Sequence, residues 1–266
     1  HIQQPYWYDF GGDKSLEEFG LETAAELERK ILELGPDNVA AFIGEPLQGA
    51  AGVLIPPSTY WPEIQRICRK YGVLIISDEV ICGFGRTGKW FACEHARTIP
   101  DVICLGKALT GGFPLSACVG RADLMDAAWP PSDGEAIHTS TFLGHPVGCA
   151  MALAQIREIR RLNLPRRSAR LGRVLLAALA ALARDARGAQ LRVRGQGLLA
   201  GVEIRHADGS PAPRRALALV KTLLRRGFIF LPEGDPPNVI SFTPPLTISA
   251  RQLRTAVAAL RRECAA

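Results

Sequence analysis

Apolar runs and amphipathic stretches alternate along the first 160 residues, and this alternation predicts strands and helices in turn. Ser15 and Glu18 form a capping box that opens a helix, and Gly35-Pro36 ends it. Apolar runs predict strands at residues 39–43, 73–77, 102–105 and 115–119, and helical spacing predicts further helices at about residues 62–70 and 147–162. Residues 73–77 are almost all apolar, as in a strand that is buried on both faces of a parallel sheet. The order of elements is typical of an α/β domain with a mainly parallel sheet.

The pattern after residue 160 predicts a second, smaller unit. Helices are expected at about residues 167–187 and 213–226 and from Ser249 onward, and strands are expected at residues 198–204, 228–231 and 239–242. We place the boundary at Pro165, so that residues 1–164 form part of a large domain and residues 165–266 form a small α+β domain.

Charge divides the chain close to this boundary, between residues 160 and 161. Residues 1–160 hold 13 basic and 20 acidic side chains, whereas the residues that follow hold 19 basic and six acidic ones. The arginines of the second part alternate with Leu and Ala at helical spacing, and few aromatic rings accompany them. This pattern favours solvated helix faces over a nucleic-acid surface, which needs stacking rings beside the charge.

Membrane, disulfide and metal chemistry find little support in the composition. The longest apolar run, residues 174–183, is far shorter than the roughly 20 residues that span a bilayer. The seven cysteines are odd in number and form no C-x-x-C pair, which predicts reduced core thiols and no metal site. Together with the absence of a recognisable signal peptide, these features predict a soluble, cytoplasmic protein.

The strongest chemical signal lies at two predicted strand ends. Lys107 is one of only six lysines among 32 basic residues, and it stands between an apolar strand and a Gly-rich turn. Lys loses its proton when it is desolvated, and can then act as an amine nucleophile, whereas Arg cannot. Asp78 follows residues 73–77 directly. A pyridoxal cofactor needs both groups, a Lys for the Schiff base and an Asp to keep the ring nitrogen protonated. A surface Lys at a strand end and a loop-capping Asp are the structural alternatives.

A competing motif follows Asp78. Gly83, Gly85 and Gly88 match the G-x-G-x-x-G fingerprint of nicotinamide-dependent oxidoreductases. The first glycine comes five residues after Asp78 rather than at the end of the strand, and residues 89–95 do not have the pattern of a long helix. These departures weigh against a dinucleotide site.

Several motifs in the same order resemble the class III pyridoxal-phosphate aminotransferases. The motifs are Glu45-Pro46-Leu47-Gln48-Gly49, Asp78-Glu79-Val80, the segment 83–88, Pro100-Asp101, Gly106-Lys107, Gly111-Gly112, Ser140-Thr141-Phe142, the segment 193–197 and Pro244-Pro245-Leu246. The resemblance implies the large domain of a pyridoxal-phosphate transferase, present in part, and a small C-terminal domain.

The resemblance also implies a role for each matching residue. Lys107 would form the Schiff base with pyridoxal phosphate and carry the proton, and Asp78 would pair with the pyridinium nitrogen. Val80 would pack on one face of the ring, and Glu45 would lie near its phenolic side. Thr141 would bind the cofactor phosphate of the neighbouring subunit, which implies a homodimer with a shared active site.

Departures from the family's pattern bear on the substrate. Ala50 stands where relatives that use ornithine or 4-aminobutyrate have a gating Glu, Ile81 stands where a Gln is common, and Ser241 stands where an Arg binds a carboxylate. The likeness of residues 1–8 to the polyamine and ω-amino-acid branch adds to this. We therefore expect an amine or ω-amino acid as donor and pyruvate, rather than 2-oxoglutarate, as acceptor.

Other interpretations remain open at this point. An epimerase, aminomutase or decarboxylase on the same fold would use the same Lys and Asp, and a non-catalytic binding domain with a basic C-terminal face is a further alternative. In the family, the glycine-rich phosphate cradle and the aromatic residue stacked on the cofactor precede the segment that resembles residues 1–266. We therefore expect residues 1–266 alone to bind the cofactor weakly or not at all and to be inactive.

Overall fold

The computed structural model describes residues 1–129, 131, 134, 138–186 and 190–265. In the first part of the chain the helices are α1 (Trp7–Phe10), α2 (Leu16–Leu34), α3 (Tyr60–Tyr71), α4 (Ala122–Ala128) and α5 (Pro146–Arg161). The strands of that part are β1 (Ala41–Gly44), β2 (Leu74–Asp78), β3 (Val102–Leu105) and β4 (Ala117–Gly120). The second part contains α6 (Leu164–Asp185), α7 (Pro213–Arg225) and α8 (Ala250–Ala265), with β5 (Gln190–Gln196), β6 (Leu199–Arg205), β7 (Leu231–Glu233) and β8 (Val239–Phe242).

Helix α2 forms where its capping pattern predicts it. The Ser15 hydroxyl accepts a hydrogen bond from the Glu18 N–H at 3.2 Å, and the Glu18 carboxylate accepts one from the Ser15 N–H at 2.9 Å. Gly35, with φ at 84°, ends the helix. One face of α2, including Ala24, Leu27 and Ile31, packs against α3 and Ile75 of β2.

The first sheet has the order β1-β2-β3-β4. Strands β1, β2 and β3 run parallel, and β4 is antiparallel to β3. The expectation of a mainly parallel sheet in an α/β arrangement is therefore confirmed. Strand β3 has the predicted bounds, and β1 and β4 lie one or two residues later than predicted.

The prediction that residues 73–77 are buried on both faces is wrong. Ile75 and Ser77 are buried, whereas Leu74 and Ile76 are only partly buried. Helices α2, α3 and α5 of the described chain pack on the face that carries Ile75. On the other face, Ile43 of β1 is 59% exposed. A strand of almost entirely apolar residues thus has one well-covered and one poorly covered face among the described residues.

The second sheet is antiparallel, with the order β5-β6-β8-β7. Helices α6, α7 and α8 pack on it and form the larger core, in which Leu179, Ile204 and Leu223 are fully buried. Every residue of β6 is buried, and β8 has its predicted bounds. Helix α6 begins earlier than expected and ends at Asp185, and Arg187, the predicted end, lies outside the described residues.

Two strands of this sheet differ from expectation. The sequence pattern does not predict strand β5, because its Leu and Val alternate with Arg and Gln and it is only partly buried. The strand expected at residues 228–231 forms instead at Leu231–Glu233. Phe228 lies just beyond α7, and its N–H donates to the Leu223 carbonyl at 2.9 Å and closes the turn that ends the helix.

The cysteines are less uniformly buried than predicted. Four of the seven are buried, Cys104 is partly buried, and Cys118 and Cys149 are exposed. Among the described residues the prediction of core thiols is therefore wrong for the last two, because β4 lies at the edge of the described sheet and α5 turns part of its surface outward. Among the described residues, none of the helices combines the length and hydropathy needed to cross a bilayer.

Candidate active site

Three polar side chains follow neighbouring strand ends of the first sheet. Asp78 is the last residue of β2, Lys107 comes two residues after β3, and Glu45 comes directly after β1. Gly44 is the register partner of Ser77, and Asp78 is the register partner of Cys104, so the three ends lie level with one another. Because β1, β2 and β3 are parallel, all three residues lie at the carboxyl edge where open α/β sheets bind ligands.

Asp78 is held by its own turn. Its Oδ1 accepts a hydrogen bond from the N–H of Val80 at 3.0 Å. This bond places Val80 beside the carboxylate as the chain leaves β2. Val80 also lies close to the end of β3, because a Cβ on Gly106 would lie 3.4 Å from Val80 Cγ1. Asp78, Val80 and the Gly106-Lys107 turn therefore belong to one site.

Glu45 is electrostatically coupled to both other charges. Burial raises the pKa of Glu45, the N–H of Gly49 lowers it, the charge of Asp78 raises it, and that of Lys107 lowers it. The Gly49 N–H donates to Glu45 Oε2 at 3.0 Å. The net effect is a pKa above the ordinary carboxyl range, so Glu45 holds its proton to a higher pH than a surface Glu does.

Lys107 opens a short 3₁₀ turn, Lys107–Leu109, immediately after β3. Its φ is 38°, in the left-handed region that is uncommon for a residue with a long side chain. The N–H of Gly111 donates to the Lys107 carbonyl at 3.1 Å and closes the turn. Its side chain is exposed. Backbone strain of this kind often marks functional sites.

Thr141, the fifth residue singled out in the sequence, is not part of this group. It lies on an exposed turn just before α5. The contacts of the described residues do not connect it to Asp78, Lys107 or Glu45. The expectation that it serves a neighbouring subunit's site therefore stays a prediction.

Glu79 contributes to the site, although its sequence position alone does not single it out. Its side chain is fully buried, and its carboxylate accepts hydrogen bonds from the N–H groups of Ala92 and Cys93, both at 2.8 Å. Successive strand residues point to opposite faces, so Glu79 anchors the following loop while Asp78 faces the site. The one signal in the sequence is a second acid directly after Asp78.

The glycine-rich segment at residues 83–88 joins the two sheets. Arg86 Nη1 donates to the carbonyl oxygens of Leu198 at 3.0 Å and of Pro244 at 2.6 Å. The Arg86 carbonyl accepts from the Ser168 hydroxyl at 2.8 Å and from the Leu198 N–H at 2.9 Å. Burial lowers the pKa of Arg86 to about 10, well above neutral pH.

This geometry weighs against Gly83, Gly85 and Gly88 as a dinucleotide fingerprint. The segment is a series of turns, and the next element is the short 3₁₀ helix Ala92–His95. A dinucleotide fingerprint needs a helix N-terminus directed at the pyrophosphate. The glycines here serve close packing instead, since a Cβ on Gly88 would lie 2.9 Å from the Cβ of Ala169 on α6.

A buried ionic cluster anchors the loop that follows Glu45. Arg194 of β5 donates to the carbonyl oxygens of Gly52 and Val53 at 2.6–3.0 Å. It also pairs with Glu203 at 2.5 Å and donates to the Tyr6 hydroxyl at 2.8 Å. This cluster therefore links the loop after β1 to the second sheet. No local pattern in the sequence indicates it, because Arg194 lies more than a hundred residues from Tyr6 and Val53.

A cavity of about 380 Å³ lies beside the site rather than within it. Phe42, Trp61 and Ile2 contribute to its mainly apolar lining, and its rim reaches Glu45. Asp78 and Lys107 are not among its lining residues. The cavity runs along the edge strand β1, so it does not define the reactive centre.

The donor set fits the ring end of pyridoxal phosphate. The site brings together a primary amine, a carboxylate one strand away and a second carboxyl group with a raised pKa. These are the groups required to hold the aldehyde carbon, the ring nitrogen and the phenolic oxygen of that cofactor. For the phosphate end, the residue singled out in the sequence, Thr141, lies apart from these three groups.

The donor set is compatible with a pyridoxal-phosphate transferase, and comparison with known families shows the family of the chain. The family model for class-III aminotransferases matches residues 8–263. The chain belongs to this family, whose members depend on pyridoxal phosphate.

Curated relatives agree with this assignment. A putrescine–pyruvate aminotransferase of Pseudomonas aeruginosa is 52% identical over 161 residues, which cover 60% of this chain and 35% of the relative. A diaminobutyrate–2-oxoglutarate transaminase of Halomonas elongata is 38% identical over 282 residues, which cover 98% of this chain and 58% of the relative. The chain thus spans between a third and three fifths of the length of these relatives.

Solved structures give the same family. A thermostable ω-transaminase mutant from Pseudomonas jessenii superimposes with a TM-score of 0.91 at 35% identity, covering 99% of this chain and 59% of that protein. The ω-transaminase from Pseudomonas jessenii in complex with PMP gives a TM-score of 0.90 at 34% identity, again covering 99% of this chain and 59% of that protein.

Proposed function

We propose that the complete protein transfers an amino group from an amine or ω-amino acid to a 2-oxo acid, with pyridoxal phosphate as cofactor. The observation that carries this proposal is the placement of Lys107 and Asp78 at adjacent parallel strand ends, with Glu45 in electrostatic contact with both. Membership of the class-III aminotransferases supplies the reaction type.

The cofactor, when bound, supplies an electron sink for the bonds around the donor's amine-bearing carbon. Lys107 Nζ would attach the cofactor covalently and then move a proton between that carbon and the cofactor. Its turn after β3 holds the amine at the sheet edge. Lys107 would carry out every proton transfer at carbon.

Asp78 and its neighbours would orient the ring. The Asp78 carboxylate, fixed through Oδ1 by the Val80 N–H, would face the ring nitrogen and hold a proton there. Val80 would cover one face of the ring and exclude water from it. Glu45, whose pKa is raised mainly by burial, would lie beside the phenolic side of the ring.

The acceptor we propose is pyruvate. Ser241 is only 6% exposed within β8, so this position offers no guanidinium that could clamp a second carboxylate. Ala50 is exposed and carries no gating charge. The relative named for putrescine and pyruvate supports this acceptor, whereas the one named for diaminobutyrate and 2-oxoglutarate supports the other.

We also propose two features of the whole assembly. The exposed turn that carries Thr141 would contribute its hydroxyl to the cofactor phosphate of a second copy, which makes the homodimer part of the active site. The division into residues 1–164 and 165–266 would separate the cofactor domain from the small domain. The two sheets lie on opposite sides of this boundary.

The experiment uses the full-length protein loaded with pyridoxal phosphate. After borohydride reduction, peptide mapping should place the cofactor-derived mass on Lys107, and putrescine plus pyruvate should yield alanine. Lys107→Ala should abolish both results, whereas Lys221→Ala, a matched exposed lysine on α7, should leave both unchanged. Labelling at another lysine, or retained turnover in Lys107→Ala, would refute the proposal.

A further inference from the structure

Two cysteines face each other across the antiparallel part of the first sheet. Cys104 of β3 and Cys118 of β4 are register partners. In the same ladder the Arg121 N–H donates to the Asp101 carbonyl at 3.0 Å, whereas the Cys104 carbonyl accepts from the Glu79 N–H on the other side at 3.0 Å. Hydrogen-bonded and non-hydrogen-bonded pairs alternate along such a ladder. Both observations make Cys104 and Cys118 a non-hydrogen-bonded pair.

A pair of this type is close enough for a disulfide. The Cα atoms of non-hydrogen-bonded partners lie about 4.5 Å apart, with their side chains on the same face. Disulfides form at Cα separations of about 4.4–6.8 Å. We propose that Cys104 and Cys118 form a reversible intramolecular disulfide when the protein meets a peroxide.

The cysteine pair lies next to the candidate active site, so a disulfide there would affect that site. Asp78 of β2 is the parallel register partner of Cys104, so Asp78, Cys104 and Cys118 form a row across three strands on one face. The segment between the two cysteines, residues 105–117, contains Lys107. A disulfide would therefore close this segment into a loop directly beside the candidate active site.

The two thiols differ in a way that assigns their chemical roles. Cys118 is exposed and Cys104 is partly buried. Burial, followed by the charges of Cys118 and Asp78, raises the pKa of Cys104, so its sulfur remains protonated near neutral pH. Cys118 is then the residue that meets the peroxide first, and Cys104 is the resolving thiol.

The reaction balances in two steps. The Cys118 thiolate attacks one oxygen of hydrogen peroxide, and the O–O bond breaks. Hydroxide departs as the leaving group, and Cys118 becomes a sulfenic acid. The Cys104 sulfur then attacks the Cys118 sulfur, the S–O bond breaks, and the oxygen leaves as water with the proton of Cys104. The two sulfurs supply the two electrons that reduce the peroxide.

Tryptic mapping of the full-length protein tests the proposal directly. Cleavage after Arg97, Lys107 and Arg121 places Cys104 in peptide 98–107 and Cys118 in peptide 108–121. After peroxide treatment and alkylation of free thiols, the two peptides should appear joined, and dithiothreitol should separate them. Cys149→Ser, which removes a different exposed thiol, should leave the link intact, whereas Cys104→Ser and Cys118→Ser should each abolish it.

Several outcomes would overturn the proposal. Both peptides alkylated after treatment, Cys118 recovered only as sulfinic acid, or a link between two protein molecules would each exclude the intramolecular bond. A slower turnover in the linked protein, restored by dithiothreitol, is the expected consequence, and that part rests on the proposed function. Turnover of the reduced protein tests the function separately, so the two failures are distinguishable.

Discussion

The guanidinium of Arg194 and the carboxylate of Glu203 pair at 2.5 Å, with only 8% and 2% of their side chains exposed. Arg205 donates to the other oxygen of the same carboxylate at 2.5 Å. Although burial raises the pKa of Glu203, hydrogen bonds from Tyr6, Arg194 and Arg205 lower it below the ordinary range. Glu203 is therefore charged at neutral pH and fully compensated within the protein.

Arg194→Met should destabilise the fold strongly. The substitution leaves Glu203 buried with one cation fewer and frees the carbonyl oxygens of Gly52 and Val53. Breaking a buried pair in this way costs about 3–5 kcal/mol of unfolding free energy. Urea denaturation measures the loss. The control is Arg261→Met, whose exposed pair with Asp185 should change stability by about 0–1 kcal/mol. Equal losses in the two variants would mean that burial adds nothing to the Arg194 pair.

Asp78→Asn should keep the cofactor bound but slow turnover. A neutral amide cannot hold the ring nitrogen protonated, so the electron sink is weakened. We expect kcat to fall at least about tenfold, or about 1.4 kcal/mol in the barrier. Steady-state kinetics and the absorbance of the bound cofactor check this. Asp126→Asn on α4 is the matched control. An unchanged kcat in Asp78→Asn would reduce Asp78 to a loop-capping residue.

Glu45→Gln should change how stability depends on pH. The folded-state pKa of Glu45 is raised, mainly by burial. A carboxyl group with a raised folded pKa binds its proton more tightly in the folded protein, so stability falls as pH rises from the unfolded value of about 4.3 through the folded value. The wild type should therefore lose stability relative to Glu45→Gln over this window.

Parallel urea titrations of the wild type, Glu45→Gln and the exposed-site control Glu17→Gln check this between pH 4 and neutrality. The difference between wild type and Glu17→Gln should stay flat. A difference between wild type and Glu45→Gln that is flat as well would show that the pKa of Glu45 is not raised.

The acceptor preference is measurable by competition. With one amine donor and equal concentrations of pyruvate and 2-oxoglutarate, the full-length protein should show at least a tenfold higher kcat/KM for pyruvate, about 1.4 kcal/mol of discrimination. The physical reason is the absence of a guanidinium at Ser241. A higher kcat/KM for 2-oxoglutarate would mean that an Arg elsewhere binds the second carboxylate.

Local signals in the sequence are sufficient for much of the fold. The capping box of Ser15 and Glu18 locates the start of α2, and short apolar runs, broken only by Ser241 in β8, locate β3 and β8 with their bounds. Strand β5 cannot be found in this way, because Arg192 and Arg194 interrupt its apolar positions and an alternating strand rich in Arg resembles a solvated segment. Its charged side chains find partners only in the folded chain.

The candidate site likewise contains residues that the sequence predicts and residues that it does not. Lys107, Asp78 and Glu45 can be predicted because parallel strands bring their carboxyl ends to one edge, which is a property of topology. The alignment of Cys104 with Cys118 depends on strand register, and the cluster around Arg194 depends on contacts between distant segments. Neither the cysteine alignment nor the Arg194 cluster can be predicted from the spacing of residues along the sequence.

The hydrogen bonds that Arg86 makes between the two sheets have a consequence for sequence variation. Arg86 donates to the backbone oxygens of Leu198 and Pro244, and its own carbonyl receives the N–H of Leu198. This contact therefore requires the Arg side chain at residue 86, whereas at residues 198 and 244 it requires only the position of the backbone. Substitutions at residue 244 can accumulate without loss of these hydrogen bonds, because they use its backbone oxygen. Loss of the guanidinium at residue 86 cannot be rescued by any single side-chain change at residue 198 or 244. We therefore expect residue 86 to vary less among related sequences than residue 244.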